Sequence, residues 1–297
     1  MTNELKNRLL NNAALVDRAL EEYLKTPDED LDLLYSSMRY SALAGGKRIR
    51  PFLTLEFCRM LGGKDEAAIP FACAIECVHA SSLIHDDMPC MDNDELRRGK
   101  PTNHIVYGED IALLAGDALI TKGYEMAATN PFTDPRITLK ATAMLLERAG
   151  AVGMMGGQQI DLWGETHKVD FSLLLKMHAK KTGALIIASA LLGCYAAGIA
   201  DEDDERMRDA AVYAANVGLA FQVIDDILDA IGDADTLGKH VHADEKMEKT
   251  TFLSEMTIEE AYAYAQEKTD IAIAAIEKYE GSGVLCALAK YLMERKN

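Results

Sequence analysis

Apolar residues recur at three-and-four spacing along almost the whole chain, the spacing that places an apolar stripe on one face of an α-helix. No segment shows sustained alternation with β-branched residues, which would predict a strand. Glycine and proline interrupt the pattern at Gly45-Gly46, Gly62-Gly63, Asn130-Pro131, Gly156-Gly157 and Gly232. The pattern predicts helices at Leu5–Leu24, Leu31–Leu43, Pro51–Leu61, Ile69–His85, Ile105–Thr129, Pro135–Ala149, Phe171–Ile199, Glu205–Ile231, Thr257–Tyr279 and Val284–Lys296.

The composition supports the same fold class. Hydrophobic residues make up 49% of the chain and aromatic residues only 6%, a mixture that favours helices over sheets. No long Gly/Ser/Pro linker divides the 297 residues. We therefore predict an all-α protein, a single large helical bundle of about ten helices that forms one domain over residues 1–297.

The charge balance and the uncharged segments exclude several partners. Lys and Arg number 31 against 48 Asp and Glu, so the net charge of −17 argues against nucleic acid and anionic lipid. Thr182–Ala200 carries no charge but is rich in Ala and Gly, and it is predicted to be a buried helix rather than a membrane span. The charged Met1–Lys25 segment and six scattered cysteines predict a cytoplasmic protein.

Two aspartate-rich runs carry the candidate chemistry. Asp86, Asp87 and Asp92 follow one apolar stretch, and Asp225, Asp226 and Asp229 follow another. Carboxylates at this density repel one another, so a cation that joins them is expected, and Mg²⁺ bridged to substrate phosphates is the natural choice. A single run would be read as a solvated helix end; two runs of this kind reverse that preference.

Basic residues beside glycine complete the candidate site. Gly45–Pro51 (GGKRIRP) places three cations before a helix, where glycine lets a backbone approach an anion closely. Arg97-Arg98-Gly99-Lys100 follows the first aspartate run, and Lys180–Gly183 and Leu237–Lys239 lie farther on. Each cluster alone would be ordinary surface, but together they predict two phosphate-bearing substrates, one held through metal and one by cations directly.

The chain resembles the all-trans prenyl diphosphate synthases, close to the bacterial farnesyl and geranylgeranyl diphosphate synthases. The resemblance is carried, in the family's order, by Gly45–Pro51, Glu76–His104, Leu114–Leu119, Gly156–Asp161, His178–Ile186, Gly218–Asp229, Leu237–Lys239 and Lys249–Phe252. It implies the isoprenoid synthase fold, with helices around a central cavity. It also implies condensation of isopentenyl diphosphate with an allylic diphosphate, and a homodimer.

The resemblance assigns roles residue by residue. About three Mg²⁺ ions would bind the six aspartates, Asp86, Asp87, Asp92, Asp225, Asp226 and Asp229. The allylic diphosphate would be neutralised by Arg97, Lys181, Lys239 and Lys249, and isopentenyl diphosphate would bind Lys47, Arg50, His79 and Arg98. Thr182 and Gln222 would direct oxygens or dipoles toward the allylic cation, and Lys181 is the third residue to which the resemblance gives a catalytic role. The proton would go to the released pyrophosphate, because no side chain is an obvious base.

Two other functions remain open at this stage. A class I terpene cyclase also ionises an allylic diphosphate, but it needs no isopentenyl diphosphate site, so GGKRIRP and the second aspartate run argue against it. A non-catalytic subunit of a heteromeric synthase typically lacks one aspartate motif, and here both are intact.

Product length is left open between fifteen and twenty carbons. Ser81, the fifth residue before Asp86, lies about 7.5 Å below the predicted metal site at about 1.5 Å per residue. Farnesyl synthases of this type usually carry a bulky aromatic there. The small Ser81 leaves the predicted tunnel open and favours twenty carbons, although Val78 or Ile75 could still close it.

Overall fold

The computed structural model describes residues 1–236 and 250–295, and within them the all-α prediction is confirmed. The helices are α1 (Asn3–Tyr23), α2 (Asp32–Ala42), α3 (Ile49–Met60), α4 (Asp65–Asp86), α5 (Asn103–Tyr107), α6 (Glu109–Ala128), α7 (Pro135–Ala149), α8 (Met154–Gly164), α9 (Phe171–His178), α10 (Ala184–Ala196), α11 (Glu205–Thr236), α12 (Ile258–Ile276) and α13 (Gly283–Glu294). Short 3-10 turns lie at Glu29–Leu31 and Phe252–Ser254, and a π-helical turn at Ala179–Gly183 joins α9 to α10.

The strand content of the described residues is one small antiparallel hairpin, β1 (Leu96–Arg97) and β2 (Lys100–Pro101). Its two-residue turn places Arg98 at φ 55° and Gly99 at φ 76°. Positive φ at both positions is the geometry that a tight hairpin requires. Two residues per strand are too few to leave an alternating pattern, so the sequence did not predict this hairpin.

Several helix boundaries predicted from the sequence are wrong. Gly156-Gly157 lies inside α8, and Gly232 lies inside α11, although both were predicted to be breaks. The segment predicted as one helix over Ile105–Thr129 breaks between α5 and α6, because Gly108 adopts φ 88°. Tertiary packing overrides the weak helix propensity of glycine where a neighbour must approach closely, as at Gly157 below.

The described chain divides into two compact units, each described here by itself. The first unit contains Thr2–Leu146 and Ala188–Asp204. Its core includes Phe52, Phe57 and Phe71, all fully buried. The helix predicted within Thr182–Ala200 is α10, and Gly193 lets it pack so closely on α3 that an added Cβ would lie 2.6 Å from the Phe57 Cβ.

Helix α4 packs along α6 within the first unit. A Cβ on Gly123 would lie 2.8 Å from the Ala74 carbonyl oxygen, and one on Gly116 would lie 2.1 Å from His85 Nε2. Glycine is therefore required at Gly123, where the neighbour is backbone, whereas at Gly116 the His85 ring would have to move. The second contact places His85 against the glycine of the Leu114–Leu119 motif and gives it a packing role.

The second unit contains Met1, Glu147–Ile187 and Glu205–Asn297. Its core packs Val223, Ile224 and Ile227 of α11 against Phe252 and Ala261. The buried Tyr213 hydroxyl donates to the Leu285 carbonyl at 2.7 Å and so ties α11 to α13. The prediction of one domain over residues 1–297 stays a prediction.

Two helical stretches in the described residues, Asp65–Asp86 and Glu205–Ile231, are long and apolar enough to cross a membrane by length and composition alone. Most of the first is buried inside the protein, as expected of a core helix in a soluble fold. The two stretches are therefore weak indications of a span, and the expected lack of a membrane span stays a prediction.

Candidate functional site

The first aspartate run lies where α4 ends. The helix stops at Asp86, and Pro89 follows in a tight loop. The Asp92 N–H then donates to the Asp86 carbonyl at 2.9 Å, so the chain turns back on itself. Asn93, at φ 54°, completes the turn. Proline disfavours helical geometry in the residue before it, which accounts for the departure from the helix at this point.

The three carboxylates of this run lie in different surroundings. Asp86 is half-buried and Asp92 is exposed, so both offer hard oxygen donors of the kind that Mg²⁺ prefers. Asp87 is buried, and its two carboxylate oxygens accept from Arg97 Nε at 2.7 and 2.8 Å. Burial raises the pKa of Asp87, while the hydrogen bonds from Arg97 oppose that rise. Of the predicted metal ligands here, Asp86 and Asp92 fit the ion better than Asp87.

Arg98 lies against the glycine pair that opens the predicted anion site. Its guanidinium donates to the Gly45 carbonyl, and a Cβ on Gly46 would lie 2.8 Å from its Cζ. Gly46 also adopts φ 116°, which L side chains rarely reach. The backbone angle favours glycine at this position, and a Cβ there would also displace the Arg98 guanidinium. The pair in GGKRIRP therefore gives the Arg98 side chain the room it occupies.

Arg50 and His79 share the environment of Arg98. Burial lowers the pKa of Arg50 to about 10, Glu76 opposes the shift and Arg98 adds to it. Arg50 Nε is buried without a hydrogen-bond partner among the described residues. Burial and then the charges of Arg50 and Arg98 hold the pKa of His79 well below its usual value, so His79 is neutral at pH 7. Cations that repel one another this closely form a site for an anion.

Arg48 is the one cation of GGKRIRP to which the resemblance gives no substrate-binding role. It is buried and adopts φ 46°. Its guanidinium donates to Glu76 at 2.6 Å, to Asp17 at 2.9 Å and to the Ala42 carbonyl at 2.7 Å. Arg48 thus serves the fold, and of the other two cations in the motif Lys47 is exposed and Arg50 is half-buried.

The second aspartate run lies on α11 in the second unit. Asp225 is half-buried, and its carboxylate pairs with Arg295 at the end of α13. Arg295 also donates to the Phe221 carbonyl at 3.0 Å and stacks on the Phe221 ring at 3.9 Å. Asp226 accepts from the Phe252 N–H at 2.9 Å, and Asp229 is exposed.

The π-helical turn carries Lys181 and Thr182. Lys181 Nζ donates to Asp161 Oδ2 at 2.5 Å. A Cβ on Gly157 would lie 2.1 Å from the Lys181 backbone nitrogen, so α8 touches the turn directly. Single π turns inside helices are frequent at functional sites. Gln222, on α11 of the same unit, is half-buried.

Other predicted site residues can be placed only in part. Lys239 and Lys249 lie outside the described residues. Within residues 1–236 and 250–295, no group of three or more His, Cys, Asp or Glu side chains is arranged to hold a metal ion. The two aspartate runs belong to separate units, so their common binding of Mg²⁺ stays a prediction.

The predicted chain-length residues lie in the interior of the first unit. Ser81 is 1% exposed, and Val78 and Ile75 are fully buried. A Cβ on Gly123 of α6 would lie 3.1 Å from Val78 Cγ2. Val78 and His85 both contact α6. Ser81 is three residues after Val78 and four residues before His85, so all three residues lie on the side of α4 that faces α6.

The sequence analysis did not identify several residues that form ion pairs with charged residues of the quoted motifs. Glu76, Asp161 and Arg295 pair with Arg48, Lys181 and Asp225 respectively. Glu76 and Asp161 lie inside quoted motifs, which could have drawn attention to them. Both amide atoms of Gln158 are buried and lack a hydrogen-bond partner within the described part of the chain. Arg295 gives no sequence signal.

Known proteins with a similar sequence or fold identify the family. The sequence model of the polyprenyl synthetase family matches residues 31–283. A geranylgeranyl diphosphate synthase of Cyanophora paradoxa is 45% identical over 89% of this chain and 88% of its own. The large subunit 1 of a heterodimeric geranylgeranyl pyrophosphate synthase of Arabidopsis thaliana is 40% identical over 97% of this chain and 79% of its own.

The fold comparison agrees with the sequence comparison. The crystal structure of an FPP/GFPP synthase from Zymomonas mobilis, without ligands, matches with a TM-score of 0.89 and 36% identity. The match covers 99% of this chain and 100% of that one. The chain therefore belongs to the polyprenyl synthetase family.

Proposed function

We propose that the protein is a prenyltransferase that condenses isopentenyl diphosphate with an allylic diphosphate. Family membership and the printed names of the relatives support this reaction. The observation that carries the proposal is the cationic cluster of Arg50, His79 and Arg98 in the same unit as the first aspartate run. A second anion site beside a metal-binding run serves a two-substrate transferase, whereas a terpene cyclase has no use for it.

The cationic cluster is the proposed site for isopentenyl diphosphate. Arg50 and Arg98 repel each other, and an anion between them removes that repulsion. Neutral His79 can donate one N–H to a phosphate oxygen. Lys47, which is exposed just before α3, would supply a further ammonium group. This substrate would be held without metal, so its double bond is positioned by side chains alone.

The allylic diphosphate is proposed to lie on the aspartate runs. Asp86, Asp92, Asp225 and Asp229 would hold about three Mg²⁺ ions, which stabilise the negative charge of the leaving diphosphate. Arg97 and Lys181 would neutralise further phosphate oxygens, with Lys239 and Lys249 as the remaining cations. The pairing of Lys181 with Asp161 fixes its ammonium group before substrate arrives.

The π turn is proposed to face the allylic cation. Thr182 would direct an oxygen toward the positive carbon, and Gln222 would direct its amide dipole. The isopentenyl double bond attacks that carbon, and the adduct loses a proton to the released diphosphate.

We propose a twenty-carbon product. Ser81 is small and buried on the side of α4 that meets α6, where a bulky residue would block a growing tail. The relatives named geranylgeranyl diphosphate synthase favour the same length. The crystal structure named for FPP and GFPP shows that products of other lengths occur among similar proteins, so length must be measured on this chain.

We further propose a homodimer that forms through α5 and α6. Ile105, Val106, Leu113 and Leu114 of these helices are all about half exposed in the single chain. Large apolar side chains grouped in this way are typical of a subunit interface. Leu113→Lys should convert the dimer to a monomer in analytical ultracentrifugation.

The six free cysteines support a reducing, cytoplasmic location.

The test of the proposed reaction uses purified protein, labelled isopentenyl diphosphate and Mg²⁺. Dimethylallyl, geranyl and farnesyl diphosphates are supplied one at a time, and products are separated by chain length. Twenty-carbon diphosphate that requires both substrates supports the proposal. A cyclic hydrocarbon formed from the allylic substrate alone would establish a cyclase. Turnover that appears only when a second, different subunit is added would establish a regulatory subunit.

A further inference from the structure

One arginine and two carboxylates form a group that holds the GGKRIRP loop. The Arg48 guanidinium donates to Glu76 at 2.6 Å, to Asp17 at 2.9 Å and to the Ala42 carbonyl oxygen at 2.7 Å. The side chains of Arg48 and Glu76 are 2% and 4% exposed, whereas that of Asp17 is 38% exposed. A single guanidinium does not neutralise two carboxylates, so the group carries an excess of negative charge.

The contacts of this group fix the backbone that carries two proposed ligands of isopentenyl diphosphate. Arg48 adopts φ 46° and ψ 42°, a left-handed conformation that residues other than glycine rarely adopt. Its carbonyl oxygen accepts from the Phe52 N–H at 2.9 Å, so α3 begins directly after it. Such a conformation persists only where the surrounding contacts hold it. Lys47 and Arg50 lie one residue before and two residues after Arg48, so the same contacts position both.

Glu76 also acts on the arginines of the cationic cluster. It lies one turn before His79 on α4, so the two side chains share a face of the helix. The negative charge of Glu76 opposes the effect of burial on the pKa of Arg50 and on the pKa of Arg98. Charges inside a protein interact more strongly than charges at the surface, because little water screens them. The cationic cluster therefore already interacts with a resident anion.

We propose that Glu76 is a positioning residue that holds the GGKRIRP loop through Arg48, and that its charge limits how tightly Arg50 and Arg98 bind a diphosphate. The identity of that anion as isopentenyl diphosphate rests on the proposed function, but the effect of Glu76 on anion binding does not. Limited affinity suits a site beside a reaction that releases pyrophosphate, because two uncompensated arginines would retain that product as an inhibitor.

The experiment measures the binding of inorganic pyrophosphate by isothermal titration calorimetry, with EDTA present so that metal ions do not contribute. Glu76→Gln removes the charge but keeps the shape of the side chain and one oxygen that accepts from Arg48. Asp17 still balances the charge of Arg48 in this variant, which favours a folded protein. Arg50→Ala identifies the part of the binding that belongs to the cationic cluster.

The matched control is Glu56→Gln. The Glu56 side chain is also 4% exposed, lies in the same unit and pairs with an arginine, Arg59. Its replacement therefore breaks a comparable buried ion pair that does not involve the GGKRIRP loop. Thermal unfolding of both variants measures the loss of stability that such a break causes.

Glu76→Gln should strengthen pyrophosphate binding by about threefold to tenfold, because the two arginines lose their resident anion. Asp17→Asn should strengthen binding by only about twofold, because water screens this more exposed carboxylate. Glu56→Gln should lose thermal stability but keep the wild-type dissociation constant. A residue that merely held the loop would give the opposite sign, since a displaced Arg50 would bind pyrophosphate more weakly.

Unchanged or weaker pyrophosphate binding in a folded Glu76→Gln protein would overturn the proposal, and so would wild-type binding that persists in Arg50→Ala. If Glu76→Gln fails to fold, Asp17→Asn decides, and unchanged or weaker binding in that variant is the contrary result. If wild type formed no prenyl product, the proposed reaction would fail, while pyrophosphate binding would still decide the role of Glu76.

Discussion

Gly157→Ala should disable the site through a contact that involves no site side chain. The new Cβ would lie 2.1 Å from the Lys181 backbone nitrogen, 2.5 Å from its Cα and 2.7 Å from the Lys180 carbonyl carbon. Ordinary contact begins at 3.4 Å, and all three neighbours are backbone atoms that cannot rotate away. The π turn must therefore move by about 1 Å or more relative to α8.

The size of the effect follows from that displacement. A shift of about 1 Å in a positioned group can cost about a hundredfold in rate, and overpacking costs about 1–3 kcal/mol of stability. Because Lys181 and Thr182 are carried on the turn, we expect kcat to fall by about a hundredfold with the fold retained. Steady-state kinetics and thermal unfolding measure the two quantities.

The matched control is Gly283→Ala at the start of α13, where an added Cβ meets nothing within 4 Å. This variant should keep wild-type kinetics. A Gly157→Ala enzyme that is folded and has wild-type kcat would refute the reasoning, because it would show that the turn can shift without affecting catalysis.

Three further predictions concern the first unit. Ser81→Phe should shorten the product, toward fifteen carbons if wild type makes twenty, because the ring fills the side of α4 that meets α6; an unchanged product profile in chain-length analysis would contradict this. Arg50→Ala should raise KM for isopentenyl diphosphate by at least about tenfold and change the allylic KM much less, in steady-state kinetics with each substrate varied. His79 has a lowered pKa in the folded state, so protonation favours unfolding as pH falls below about 6.5. As pH is lowered, the free energy of unfolding should therefore fall more steeply in wild type than in His79→Gln, by up to about 1.4 kcal/mol per pH unit. Equal pH dependence of the unfolding free energy in the two proteins, measured by denaturant titration, would contradict that.

Much of the fold could be predicted from the sequence because helical periodicity is a local property. Segments such as Asn3–Tyr23 and Pro135–Ala149 show it over several turns, and the all-α prediction is confirmed. The boundaries at Gly156-Gly157 and Gly232 were predicted wrongly, because a glycine in the sequence does not show whether the chain turns there or a neighbour packs closely against it. At Gly157 the neighbour is the Lys181 backbone, far away in sequence.

In the candidate site, too, local sequence patterns were predictable and contacts between distant segments were not. Aspartate and arginine motifs indicated which residues carry charge, but not which way each side chain faces. Asp87 facing Arg97 and Arg48 facing Glu76 depend on contacts between separate elements. Arg295, at the far end of the chain, pairs with Asp225, and no local pattern could have predicted it.

We expect both aspartate runs to serve one Mg²⁺-dependent ionisation of an allylic diphosphate. Its most direct test is an Mg²⁺ titration of labelled isopentenyl diphosphate incorporation in wild type, Asp86→Ala and Asp225→Ala. Each variant should remain folded and lose turnover by about a hundredfold or more at every Mg²⁺ concentration, since each removes an oxygen ligand. Near-normal Mg²⁺-dependent incorporation in either variant would contradict it.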